Sequence, residues 1–181
     1  AIEIVKAPSP ALNGSEAANY KEGQDFDIAP GGIIKVTYSD GTTKNVTITK
    51  DMCSGLDTNT VGQQEVTVTY KDQTVTYPAE VVAKTMTKIA ISPAPDKTVY
   101  KIGMDTALDT TGGKIVISYD NGKEETVDLL ADYCSGYDLT TLGQKTVTVT
   151  YPDAAGQTAT YTITVQDKVL TGITLTTTPA K

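Results

Sequence analysis

The residue types in this chain that could do chemistry are two cysteines, a recurring group of aspartates and ten tyrosines. Cys53 and Cys134 each open the same run, Cys-Ser-Gly-x-Asp-x-x-Thr-x-Gly-Gln, at 53–63 and 134–144. A nucleophilic thiol needs a positioned base, and the sequence contains no His. Metal binding by mixed thiolate and imidazole lacks the imidazole for the same reason. With one Cys per run, a disulfide within a run is excluded. A bridge between the two runs would need their Cα atoms within about 7 Å, which end-to-end packing of equivalent segments disfavours. The expectation is a pair of free, inward-facing thiols acting as small apolar side chains, ahead of a disulfide or a reactive thiol.

Asp51, Asp57, Asp132 and Asp138 recur around these runs. Paired carboxylates serve glycoside hydrolysis, and clustered ones ligate Ca²⁺. The spacing matches no EF-hand loop, however, and Asp beside Gly and Thr commonly accepts hydrogen bonds from the N–H groups of its own turn. Turn structure is therefore the leading reading, ahead of weak Ca²⁺ binding. No catalytic residue, no metal ligand and no cofactor site is assigned. Among the tyrosines, Tyr20, Tyr38, Tyr70 and Tyr77 have counterparts at Tyr100, Tyr119, Tyr151 and Tyr161. Their recurrence, with inward strand parity where parity can be read, marks them as core and rim residues. Tyr133 and Tyr137 instead stand where the first copy has Met52 and Leu56. Spaced i and i+4 in a loop-like stretch, they are the candidate weak ligand surface.

These residues come in equivalent pairs because the chain repeats itself. Residues 31–70 align without a gap on residues 112–151, and 19 of the 40 positions are identical. An internal repeat fixes the architecture before any other reading. It divides the sequence into domain 1 at 1–84 and domain 2 at 85–168, each large enough for a modest core. Residues 169–181 remain as a linker or the start of a third repeat, because Gly172-Ile173-Thr174-Leu175 resembles the opening strands at Ile2/Ile4 and Ile89/Ile91.

The elements that position the paired residues are strands. Ile34, Val36 and Tyr38 alternate with polar residues, as do Ile115, Ile117 and Tyr119, and a period of two marks a sheet with one buried face. Asp40-Gly41 and Asn121-Gly122 follow, suited to a type I′ hairpin turn. Returning strands carry Val46 and Ile48, or Val127 and Leu129. After the Cys-Ser-Gly run come Val66, Val68 and Tyr70, then Val75, Tyr77, Ala79 and Val81, with second-copy counterparts at Val147, Val149, Tyr151, Ala159, Tyr161, Ile163 and Val165. The loop between these last strands is Lys71-Asp72-Gln73 in the first copy and three residues longer in the second. Pro78 belongs at an edge or a bulge, where a missing N–H costs no ladder bond. The first copy carries an insertion around Pro10, in a segment that also holds the glycosylation-type triplet Asn13-Gly14-Ser15. Six or seven short strands per copy with Gly, Asp and Asn turns describe an all-β fold of two tandem β-sandwiches.

Composition restricts partners. The chain has 15 Lys, no Arg and 22 acidic residues, a net charge of −7. Each copy is mildly acidic, so no basic patch attracts phosphate backbones and nucleic acid is not an expected partner. No run of 18 apolar residues exists, so no membrane insertion by this chain is expected. Thr occurs 32 times, largely alternating with Val and Tyr as on half-exposed strands. That composition fits an extracellular, cell-surface or secreted module.

Taken together, the GGxIxVxYxDG and SGxDxxTxGxxxVTVTY segments resemble the bacterial immunoglobulin-like domains of group 3. The matching residues are Ile2/Ile4, Tyr20/Gly23, Tyr38/Asp40/Gly41, Ser54/Gly55/Asp57/Gly62 and Val66/Val68/Tyr70. Their second-copy counterparts are Ile89/Ile91, Tyr100/Gly103, Tyr119/Asn121/Gly122, Ser135/Gly136/Asp138/Gly143 and Val147/Val149/Tyr151. Leu56 departs from the pattern, whereas Tyr137 supplies its aromatic. The resemblance implies a recurrent piece of bacterial surface and secreted proteins, with no shared catalytic residue. A structural spacer or display module is therefore the leading function and an enzyme is not expected. A carbohydrate-binding or adhesive module, accessory to a glycan-active enzyme, is the alternative. Expected partners are neighbouring domains of the same chain and, under the alternative, a cell-surface or dietary glycan or a host protein. A linker near 82–87 without Gly or Pro leads to the expectation of domains set pole to pole over about 70–80 Å, given strand rise and loop allowances.

Overall fold

The computed structural model describes residues 1–8, 18–26, 32–153, 156–174 and 176. The insertion around Pro10 and the triplet at 13–15 lie outside the described residues. Residue contacts divide the chain into one unit of Ala1–Thr85 with Tyr119–Lys123 and another of Met86–Ser118 with Glu124–Lys181.

The first unit contains β1 (Ile2–Lys6), β2 (Ala18–Lys21), β3 (Ile33–Thr37) and β4 (Thr43–Thr47). A 3-10 turn at Lys50–Met52 leads to β5 (Cys53–Ser54), followed by β6 (Gly62–Tyr70) and β7 (Gln73–Val82). One sheet has the order β1-β3-β4 and the other β2-β7-β6-β5. The pairs are antiparallel except β2 with β7, which run parallel. The opening segment thus serves both sheets, β1 in one and β2 in the other. Alternation along the strands turns Ile34 and Val36 of one sheet toward Tyr20, Val66, Val68, Tyr77, Ala79 and Val81 of the other. Each such aliphatic side chain contributes about 1.5–3 kcal/mol when removed from water.

The second unit repeats this with β8 (Met86–Ile91), β9 (Val99–Lys101), β10 (Lys114–Tyr119) and β11 (Glu124–Asp128). A 3-10 turn at Ala131–Tyr133 precedes β12 (Cys134–Ser135), β13 (Gly143–Thr150) and β14 (Thr158–Gln166). The sheets are β8-β10-β11 and β9-β14-β13-β12, again with one parallel pair, β9 with β14. Its core holds Ile89, Ile115, Ile117, Val147, Val149, Tyr161, Ile163 and Val165, with Leu108 and Leu139 added from loops. Tyr100 is fully buried and its hydroxyl ties down a loop, accepting from the Asp109 N–H at 3.0 Å and lying 3.2 Å from the Asp109 carbonyl.

Several local expectations change. The Asp-Gly and Asn-Gly hairpins are not type I′, because Asp40 and Asn121 do not adopt positive φ. In each, a four-residue turn closes by a bond from the glycine N–H to a tyrosine carbonyl, Gly41 to Tyr38 and Gly122 to Tyr119, both at 3.1 Å. Gly41 and Gly122 then sit at φ 80° and 77°, making a three-residue loop with a glycine bulge. Tyr38 consequently lies past the end of β3 and is 41% exposed, not inward. Ile48 follows β4 instead of ending it, yet is buried, with its N–H on the Gly32 carbonyl at 2.8 Å.

Pro78 is opposite Glu65 in the β6 ladder, and pairing with β2 begins only at Ala79. Its β2-facing side thus has no described ladder bond to lose. At the other end of the chain, Gly172–Thr174 form no strand and Ile173 is 89% exposed. An opening strand is held by pairing with a later strand of its own unit, as β1 is by β3, and the described residues beyond Thr174 offer none. Leu175 lies outside the described residues.

Candidate functional site

A 3-10 turn carries the chain from one sheet to the other and delivers each cysteine to a two-residue edge strand, from which the Cys-Ser-Gly run loops back to the neighbouring strand of the same sheet. Cys53 pairs with Val68 and Cys134 with Val149. The thiols are free and half-buried. Each donates to the carbonyl four residues back, Cys53 Sγ to Thr49 O at 3.6 Å and Cys134 Sγ to Leu130 O at 3.5 Å. Burial pushes both thiols up, and beside Cys53 the Asp51 charge acts in the same direction. Tyr77 and Tyr161 are 3% and 9% exposed, and their hydroxyls are buried beside these sulfurs without meeting hydrogen-bond geometry. Burial also raises both phenols far above their ordinary range. A thiol held protonated in this way is a poor nucleophile.

The aspartates fold onto their own loops. Asp57 Oδ1 accepts from the Asn59 N–H at 3.0 Å, and Oδ2 from the Thr60 hydroxyl at 2.8 Å. Gln64 closes the same loop, accepting from the Asp57 N–H at 2.7 Å and donating to the Thr60 carbonyl at 2.7 Å. Asp138 Oδ1 accepts from the Thr140 N–H at 2.7 Å and its hydroxyl at 2.6 Å, while Oδ2 takes the Thr141 hydroxyl at 2.5 Å. These hydroxyl and amide bonds hold the Asp138 carboxyl down at about 2, and the same causes lower Asp57. The Thr49 hydroxyl lowers Asp51. Among the described residues, no group of three or more acidic or cysteine side chains is placed to hold a metal ion.

Tyr133 and Tyr137 are both half-buried. The described ring contact of Tyr133 is edge-on with Tyr151, centroids 5.5 Å apart, while Tyr137 lies near Tyr161. The substituted tyrosines are thus drawn toward different neighbours.

The structure adds a feature in the first unit. An open depression of about 280 Å³ lies between the start of β1, the end of β3 and the β6–β7 loop, lined by Tyr38, Tyr70, Lys71, Gln73, Thr37 and Ser39 among others. Lys71 stands at φ 53°, and its Nζ lies 5.8 Å from the centroid of the Tyr70 ring. Strand parity hid this feature, because it assigned Tyr38 to the interior. The tight Lys71-Asp72-Gln73 loop, three residues shorter than its counterpart in the second copy, was the available signal.

Comparison with known proteins bears on both units. The profile of the bacterial Ig-like domain (group 3) matches residues 16–81 and 94–165. Pectate lyase L of Thermoclostridium stercorarium is 28% identical over 142 residues, covering 78% of this chain but 11% of that enzyme. The solution structure of a proposed surface protein is 27% identical, covers 50% of this chain and 98% of its own, and superposes with a TM-score of 0.28. The N-terminal four Ig domains of Dscam1 isoform 4.44 are 8% identical, with 91% and 46% coverage and a TM-score of 0.29. No helix among the described residues is long and apolar enough to cross a membrane. With both copies matched by one profile, the chain belongs to the bacterial Ig-like domain family, group 3.

Proposed function

We propose that this chain is a structural spacer or display module of a bacterial surface or secreted multidomain protein, working outside the cell and performing no chemistry of its own. The observation that carries the reading is the use made of its repeated polar side chains. Asp57 and Asp138 are both spent on bonds within their own loops. Such bonds make a rigid, repeatable unit. The partners under this reading are neighbouring domains of the same chain. Small-angle scattering of the 181-residue chain tests it. A maximum dimension of about 70–80 Å, as strand rise and loop length predict for two units in line, supports a spacer. A compact particle near 50 Å, about the size of two units folded side by side, contradicts it.

A second reading is a carbohydrate-binding or adhesive module accessory to a glycan-active enzyme. Its support is the similarity to part of a pectate lyase. The partner is then a cell-surface or dietary glycan, or a host protein. A glycan array probed with the chain separates the two, since a pure spacer retains no sugar.

A further inference from the structure

We propose that the depression beside the β6–β7 loop of the first unit binds an oligosaccharide bearing a carboxylate. The Tyr38 ring would lie under a sugar face and the Lys71 ammonium on the carboxylate. The proposal rests on the second, carbohydrate-binding reading and gives it a site and a ligand charge.

Three independent features converge there. Lys71 is the one non-glycine residue at positive φ among the described residues. A two-residue hairpin loop takes Gly or Asn at such a position without strain. A lysine there is not what the fold requires, and strain retained in a loop is a pointer to function. Next, the ammonium pairs with no carboxylate among the described residues, and Asp40 on the adjoining loop is occupied by Thr42 at 2.9 and 2.6 Å. Lys71 is also the one charged side chain lining the depression, a local cationic point on a chain of net charge −7.

Finally, Tyr38 offers an exposed ring. Thr37, Ser39 and Gln73 line the same depression and carry hydroxyl and amide groups. An aromatic face suits the C–H side of a pyranose, and such polar groups suit its hydroxyls. The second unit offers no copy, because Pro152 takes the place of Lys71 and the Tyr133 ring packs edge-on against Tyr151.

The test is a ¹⁵N NMR titration of the whole chain with short oligogalacturonate and with a neutral galacto-oligosaccharide of equal length. The expected result is shifts confined to residues 37–39 and 70–73, stronger for the acidic sugar and weakened by salt. Lys71→Gly should weaken acidic binding by roughly tenfold or more while raising the melting temperature, since glycine relieves the strain. Loss of binding with a higher melting temperature cannot come from unfolding. Tyr38→Ala should abolish binding of both sugars.

Binding that survives both substitutions, or shifts elsewhere, overturns the site and leaves the carbohydrate-binding reading intact. Equal binding of neutral and acidic sugars, unaffected by Lys71→Gly, overturns the assigned charge. No binding to either sugar overturns the proposal, and a blank glycan array as well removes the reading beneath it.

Discussion

A Cβ on Gly55 would lie 2.8 Å from the carbonyl oxygen of Glu65 in β6. The run between β5 and β6 is thus pressed against the strand it joins, at a residue with φ 92°. Gly136, its counterpart, shares the positive φ at 75°, but its nearest obstacle is the Thr148 hydroxyl at 3.5 Å. The two glycines therefore separate a conformational cost from a steric one. Gly136→Ala should destabilise by about 1–2 kcal/mol, the cost of a left-handed conformation in a residue with a Cβ. Gly55→Ala adds a backbone collision and should cost about 2–4 kcal/mol. Denaturant unfolding of each variant measures this, and equal losses would show that the β6 backbone yields.

The Asp138 loop predicts an acid dependence. Its carboxyl titrates near 2 in the folded chain against an ordinary value of 3.8, held down first by the Thr140 and Thr141 hydroxyls. A depressed carboxyl stabilises the fold above its unfolded value, and the contribution is lost as pH falls through the folded one. The loss should therefore run from about pH 4 down to 2. Asp138→Asn keeps an acceptor but cannot ionise, so its stability should change less across that window than that of the parent chain. Denaturant midpoints at pH 7, 4 and 2 decide, and parallel curves would count against the loop's contribution.

Most of the fold was legible because the strands obey a period of two and the chain states the pattern twice. Ile34, Val36, Val66, Val68 and their counterparts are buried as their alternation requires. The turn reading of Asp57 and Asp138 was legible too, since Asp followed by Thr or Asn at two and three residues meets its own N–H and hydroxyl groups. Features set by three dimensions were hidden. Parity cannot say where a strand stops, so Tyr38 was read as interior although β3 ends one residue earlier. A dipeptide does not fix loop length, so Asp40-Gly41 suggested a two-residue turn where a three-residue one forms. The Tyr133–Tyr151 contact joins a 3-10 turn to residues far along the chain, and no local spacing encodes it.

The thiols give the last prediction. Cys53 and Cys134 are half-buried, and burial raises both above the ordinary thiol range. A smaller thiolate fraction and partial shielding each slow alkylation. Labelling of the native chain at neutral pH should be slow, and denaturant should accelerate it at both positions. Fast native labelling of either residue would contradict the burial, and a gel shift lost on reduction would reveal a disulfide. The sulfur's hydrogen bond also ranks substitutions at Cys53. Serine keeps a donor for the Thr49 carbonyl that Cys53 reaches at 3.6 Å, so Cys53→Ser should cost only about 1 kcal/mol. Alanine loses both the bond and the packing of the sulfur against the core, and should cost about 1–2 kcal/mol. If alanine proves the milder change, Cys53 acts as an apolar filler and the Thr49 contact contributes little to stability.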